Sequence, residues 1–211
     1  MLTIACLHTA TSNVAVFEAA KAALPVAALR LRHEVRLDLL RAPDDATLAE
    51  AAAALARLAP GVDAVLLTCS TIGAAVAQAQ LPCPVLRADA ALAEAATRGG
   101  GRVSVLYAAP DTRESTAAIF GAAAERHGAS VMLKCCEGAW PLFLAGELQR
   151  YLALVALEAG RAPGRVALAQ ASMAGAAALM KTPPLTVPTT ALMAAARAAL
   201  ASRRAAPSGM R

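Results

Sequence analysis

Aromatic residues are scarce in this chain: one tryptophan, two tyrosines and three phenylalanines, 3% of 211 residues. So few rings leave no stacking platform of the kind that single-stranded nucleic acid needs. The formal charge of +5 is spread along the sequence apart from Arg203-Arg204, so no basic stripe singles out nucleic acid as a partner. Histidine is scarce too, with three residues lying far apart in sequence. No CxxC or HxxxH spacing is present, and the adjacent Cys135 and Cys136 would point to opposite faces of a strand. The sequence therefore assigns no metal and no cofactor. Five cysteines are an odd number in no disulfide-like spacing, which fits reduced thiols and a cytoplasmic setting. A secretory leader is not expected, because Met1-Leu2-Thr3-Ile4 runs straight into a strand-like segment without a basic start or cleavage pattern.

What is abundant is alanine. The chain is 58% hydrophobic with mean hydropathy +0.52. Much of that comes from runs such as 51–54 and 194–196, which mark closely packed helices and say little about lipid. The longest uncharged stretch, 64–86, is broken by Thr68, Ser70, Gln78, Gln80, Pro82 and Pro84. It reads as strand, helix and strand in series, and no membrane span is expected. Strands are predicted at 2–8, 33–37, 63–68, 84–87, 102–107, 130–134, 165–169 and 185–187. Helices are predicted at 13–24, 44–58, 71–78, 89–98, 112–127, 139–159, 175–180 and 190–202. Asp111 and Glu114 have the spacing of a capping box for the fifth helix. The basic tail from Ser202 to Arg211 is expected to fray.

The alternation implies an α/β fold with parallel sheets covered on both faces. An internal repeat divides it. The run ending at His8 has a counterpart ending at Tyr107, 99 positions later, and the run around Cys69 has one around Gln170, 101 positions later. Two pseudo-symmetric lobes follow, each a four-stranded parallel sheet flanked by helices. Lobe 1 is expected at 1–98 plus 189–211 and lobe 2 at 99–188, with the Gly99-Gly100-Gly101 turn where they meet. Ligands of such sheets sit beyond the carboxyl ends of the strands. His8, Cys69, Tyr107 and Gln170 are thus expected to face one interlobe cleft.

Cys69 is the first candidate for chemistry. It ends an apolar strand and precedes Ser70, Thr71 and Gly73 at an expected helix start. Free N–H groups there would lower a thiol pKa and receive a carboxylate. The alternative is a small buried thiol beside a Ser/Thr cap. His8 could orient or deprotonate the thiol, or simply bond a loop carbonyl. Thr9, Thr11 and Asn13 follow in a polar turn, as helix cap, ligand contact or both.

These segments resemble the aspartate/glutamate racemase superfamily, which includes hydantoin racemases, maleate isomerases and arylmalonate decarboxylases. The resemblance rests on strand-end His8-Thr9, on Cys69-Ser70-Thr71 in the place of a Cys-Asn-Thr motif, on the segment Leu168 to Met173 and on the closing Pro-rich strand. It implies two pseudo-symmetric lobes, chemistry without metal or cofactor, a small carboxylate substrate and a homodimer. In the racemases one cysteine from each lobe faces the substrate, so that a proton leaves one face and another arrives opposite. Carried over, Cys69 is the acid/base, with His8 and Thr9 flanking it. Ser70 and Thr71 hold the carboxylate from one side; Gln170, Ala171 through its backbone and Ser172 hold it from the other. Tyr107 would close the cleft and Thr189 would contact the ligand.

The sequence departs from that pattern at Gln170, which stands where the second cysteine is expected. An amide neither gives nor takes a proton at neutral pH. Three readings follow: a racemase or epimerase using Cys69 with a non-cysteine partner; a one-thiol decarboxylase or cis-trans isomerase; and a binding protein for small carboxylates that performs no chemistry.

Overall fold

β1 (Leu2–His8), β3 (Ala64–Leu67) and β5 (Gly101–Tyr107) are almost continuously apolar because central strands of parallel sheets are buried on both faces. The structure, a computed structural model, describes residues 1–25, 28–41 and 43–205. The last six positions of the expected frayed tail lie outside the described residues. The chain divides into two compact units, Met1–Ala88 with 191–211, and Asp89–Thr190. Among the described residues, no helix is long and apolar enough to cross a membrane.

In the first unit β2 (Leu29–Val35) and β4 (Val85–Arg87) complete a four-stranded, all-parallel sheet of order β2-β1-β3-β4. One face, with Ala5, Leu7, Val65 and Leu67, packs on Ala51, Ala54, Leu55 and Leu58 of α2 (Asp45–Leu58). Asp44 caps α2 by accepting the Thr47 N–H at 2.7 Å. The other face carries Cys6 and His8, and Phe17 of α1 (Ser12–Ala23) lies against His8 with ring centroids 5.4 Å apart.

The second unit repeats the plan. After α4 (Ala88–Thr97) and the glycine turn, β5, β6 (Ala129–Cys135), β7 (Arg165–Leu168) and β8 (Leu185–Thr186) form a parallel sheet of order β6-β5-β7-β8. Its core joins Leu106 and Leu168 to Tyr151, Val155 and Ala159 of α7 (Leu148–Gly160). The Arg165 guanidinium donates to the carbonyls of Ala96 (2.6 Å) and Arg98 (2.9 Å) and so satisfies the carboxyl end of α4. α4, placed by the sequence in lobe 1, lies almost wholly in this unit.

Several elements differ from the sequence reading. β2 starts four residues earlier, because Leu29-Arg30-Leu31-Arg32 is an edge strand that alternates apolar and basic residues, Arg30 exposed and Arg32 half-buried. The helix expected at 139–159 is two, α6 (Ala139–Leu144) and α7, broken where Gly146 turns left-handed at φ 75°. The capping box does not form: Asp111 lies in a 3-10 turn, Pro110–Thr112, and Thr112 precedes α5 (Arg113–His127) with its hydroxyl on the Ala109 carbonyl. α8 (Val187–Ala205) starts at Val187, three residues early, with Pro188 in the first turn where a missing N–H costs nothing.

Candidate active site

Parallel pairing of β1 with β3 brings the carboxyl ends of the two central strands together, His8 on one and Thr68 beyond the other. His8 is fully buried and both its ring nitrogens are engaged. Nδ1 lies 2.8 Å from Thr68 Oγ1, and Nε2 lies 2.8 Å from Nδ1 of His33. His33 Nε2 is 3.1 Å from Glu18 Oε1, and Glu18 also pairs with Lys21. Burial, reinforced by the neighbouring His33, pushes the His8 pKa down to about 4. The Lys21 ammonium, and after it His33, hold the Glu18 carboxyl below its usual range.

Cys69 follows Thr68 and is half-buried, its sulfur side packed against the core beneath α2. The helix expected at 71–78 is reduced to one turn, α3 (Ala75–Gln78). Residues 70–74 form turns instead, with the Gly73 N–H donating to the Ser70 carbonyl at 3.1 Å and Ile72 fully buried. A helix dipole acting on Cys69 is therefore not part of the site. Ser70 is half-buried, Thr71 exposed and Thr9 buried. The guanidinium of Arg87, at the end of β4, lies directly over Gly73 in the space that any side chain there would occupy.

At the matching end of the second sheet, Gln170 ends the link from β7 to a nine-residue 3-10 helix, Ala171–Leu179. That helix replaces the one expected at 175–180. The Gln170 side-chain oxygen accepts the N–H groups of Ala108 (2.6 Å) and Ala109 (2.9 Å). Its amide N–H₂ is thereby left as the donating end. Ser172 Oγ lies 2.9 Å from the hydroxyl of Tyr151, whose pKa burial raises to about 12. A phenol held that high is no base for Ser172. Tyr107 is buried and is the register partner of Cys135 on β6. Thr189 accepts from the Thr186 hydroxyl at 3.0 Å in the first turn of α8. A cavity of about 600 Å³ in this unit, lined by Arg98, Gly164, Arg165 and Pro183, sits at the amino end of β7, away from Gln170.

The structure thus joins His8 to Thr68 at one strand end, with Cys69 next in sequence and packed toward the α2 core, and places Gln170 and Ser172 at the matching end of the second sheet. His33, Glu18 and Arg87 are additions that the sequence reading missed. Starting β2 at His33 hid that this residue is the register partner of Cys6.

No protein-family model matches the sequence, and no curated protein does. Solved structures do. Aspartate racemase from Picrophilus torridus matches with a TM-score of 0.74 at 9% identity, over 94% of each chain. Glutamate racemase from Thermus thermophilus matches at 0.64 and 21% identity, over 99% of this chain and 84% of its own. Allantoin racemase from Klebsiella pneumoniae matches at 0.65 and 18% identity, over 93% and 87%. At these identities the likeness is one of fold: two parallel four-stranded sheets with flanking helices, as in the aspartate/glutamate racemase superfamily.

Proposed function

We propose that this chain, which shares the fold of aspartate, glutamate and allantoin racemases, is a cofactor-independent enzyme of the racemase type. It acts at the α-carbon of a small carboxylate, with Cys69 as acid/base. The observation that carries this reading is the half-buried Cys69 thiol at the carboxyl end of a central strand. The thiolate removes the α-proton, and the electron pair moves onto the substrate carboxylate to give an enediolate. Ser70 and Thr71 offer hydroxyl and backbone donors to that charge as it develops. His8 acts as a positioning residue: its hydrogen bond to Thr68, the residue before Cys69 in sequence, holds the strand end that carries the thiol. At its own strand end the second unit offers the Gln170 amide N–H₂, the Ala171 N–H and Ser172 as carboxylate donors, with Thr189 and Tyr107 as further candidate contacts.

Gln170 favours a second reading within the same chemistry. Inversion needs a proton donor on the opposite face, and neither an amide nor a serine bonded to a high-pKa phenol supplies one. A one-thiol reaction, in which Cys69 protonates an enediolate left by loss of carbon dioxide, needs no such donor. In deuterium oxide, a panel of amino and hydroxy acids should exchange the α-proton, and Cys69→Ser should lower the rate by about 10²–10⁴-fold. Exchange with inversion supports racemisation; carbon dioxide release from substituted malonates supports the one-thiol reading. Thermal stabilisation by carboxylates without exchange or gas release, unchanged in Cys69→Ser, would leave only a binding protein.

A further inference from the structure

We propose that the first unit binds one divalent transition-metal ion, of the zinc class, through Cys6 Sγ, His8 Nε2 and His33 Nδ1. The inference does not rest on the reaction proposed above, although His8 takes part in both. Cys6 and His8 are two apart on β1 and therefore share a face, and His33 on β2 is the register partner of Cys6. Parallel pairing puts all three on the side of the sheet covered by α1. Their ligand atoms lie within 4.8 Å of one another, with Cys6 and His8 fully buried and His33 half-buried. One thiolate and two imidazoles form a donor set suited to zinc, cobalt or copper, not to magnesium or calcium.

The outer hydrogen bonds carry the case further. The Thr68 hydroxyl lies 3.0 Å from the Leu7 carbonyl and, donating there, accepts from His8 Nδ1–H. The Glu18 carboxylate only accepts, so His33 Nε2 holds the proton between them. In that arrangement His8 Nε2 and His33 Nδ1 point their lone pairs at each other across 2.8 Å. Two facing lone pairs require a positive centre between them, a shared proton or a cation. Metal-bound histidines are held in this way, each donating its outer N–H to a carboxylate or another oxygen. Zn–N bonds of about 2.0–2.1 Å put tetrahedral nitrogens roughly 3.3 Å apart, so the rings need to part by only about half an ångström. The second unit is a built-in control: its register places Val105, Tyr107 and Leu133 where the first has Cys6, His8 and His33. Coordination replaces the Cys6 proton by the metal and releases that proton to solvent.

The test is titration of chelator-treated full-length protein with Co²⁺, read by visible absorption, followed by displacement with Zn²⁺. One equivalent should give the intense bands of tetrahedral cobalt and a thiolate-to-cobalt charge-transfer band, both lost on adding Zn²⁺. Cys6→Ala should remove the charge-transfer band, and His33→Gln should weaken binding. Glu18→Gln should weaken it by about 10–100-fold, the usual effect of losing an outer-sphere acceptor. Cys69→Ser and His127→Ala, both outside the three-residue cluster, should leave the cobalt spectrum and its affinity unchanged. Far-ultraviolet circular dichroism checks that the variants fold. Should Cys6→Ala fail that check, His33→Gln decides, its site being half-buried near the sheet edge. No tetrahedral spectrum in the parent protein overturns the proposal, as does a spectrum that survives Cys6→Ala or His33→Gln or is lost in Cys69→Ser.

Discussion

Ile4 pairs with Ala64 in the first sheet where Val103 pairs with Arg165 in the second, and His8 ends its strand where Tyr107 ends the other. The backbone plan is one plan used twice. The side chains laid on it are not. The first unit threads a titratable line, Thr68, His8, His33, Glu18 and Lys21, beneath its sheet. The second has Tyr107 and Leu133 at the matching positions, and there the Ala108 and Ala109 N–H groups donate to the Gln170 side-chain oxygen while Ser172 and Tyr151 pair through their hydroxyls. Duplication preserves the strand register because one slipped residue would turn every apolar side chain outward. It does not preserve chemistry, which needs only a few side chains. The unit with a thiol directly after a central strand end, Cys69, is the one to test as reactive, and the other, with Gln170 there, as a scaffold of donors.

Thiol labelling is the sharpest way to break that comparison. Burial pushes Cys136 of the second unit up to about 12, with Glu158 adding to the shift, and Cys6 is likewise raised to about 12 by burial. At pH 7 a thiol with that pKa is about 10⁻⁵ thiolate, and only the thiolate is alkylated. Cys69 is half-buried and should take up iodoacetamide to completion while Cys6 and Cys136 stay unmodified, as mapped by mass spectrometry. The raised pKa favours the neutral thiol in the folded state, so labelling of Cys136 should climb only as the pH approaches 12 or the chain unfolds. If Cys136 reacts as fast as Cys69 in the folded protein, the asymmetry is gone, and the enzyme reading with it.

Two glycines set against arginines give the next contrast. In the second unit Gly164 has φ +76° and a Cβ there would lie 2.4 Å from the backbone oxygen of Arg102. In the first, a Cβ on Gly73 would meet only the far end of the Arg87 side chain. A left-handed backbone strains an L-residue by about 1–2 kcal/mol, and overpacking against a main chain adds a similar amount. Gly164→Ala should therefore cost roughly 3 kcal/mol in urea unfolding. Gly73→Ala should cost under about 1 kcal/mol, since a guanidinium can swing aside. Equal losses would mean that Arg87 is held as rigidly as a backbone carbonyl.

Much of this was legible in the sequence. β1 was read with its observed bounds, and β5 within one residue, because central parallel strands are apolar without interruption. The repeat offsets carried Cys69 onto Gln170 and predicted two sheets of one strand order. The edge strand β2 was misplaced, since Leu-Arg-Leu-Arg alternation is a weak signal beside the apolar runs. With it went the pairing of His33 and Cys6, because the register of parallel strands is set by distant crossover packing and not by a local turn. The single-turn α3 was also hidden. Ser-Thr followed by small apolar residues reads as a capped helix, but 71–74 run as turns, with the Gly73 N–H on the Ser70 carbonyl. Gln170 was identified as a non-acid, yet its clamp on the Ala108 and Ala109 N–H groups depends on a loop 61 residues or more away in sequence.

The smallest of the expected effects bears on the titratable line itself. His8→Leu keeps the bulk of the ring while removing both nitrogens. Thr68 retains the Leu7 carbonyl as its acceptor, but His33 Nδ1 loses its partner and faces an apolar side chain. A polar atom left unpaired in that setting costs about 1–3 kcal/mol, so about 2 kcal/mol is expected at unchanged m-value. Tyr107→Phe, the matching change in the second unit, removes a single hydroxyl and keeps the buried ring, and should cost less than about 1 kcal/mol. The difference measures how far the first unit depends on its buried polar chain. Were Tyr107→Phe the costlier of the two, the chain from Thr68 to Glu18 would be incidental, and the two units would differ in sequence without differing in what holds them together.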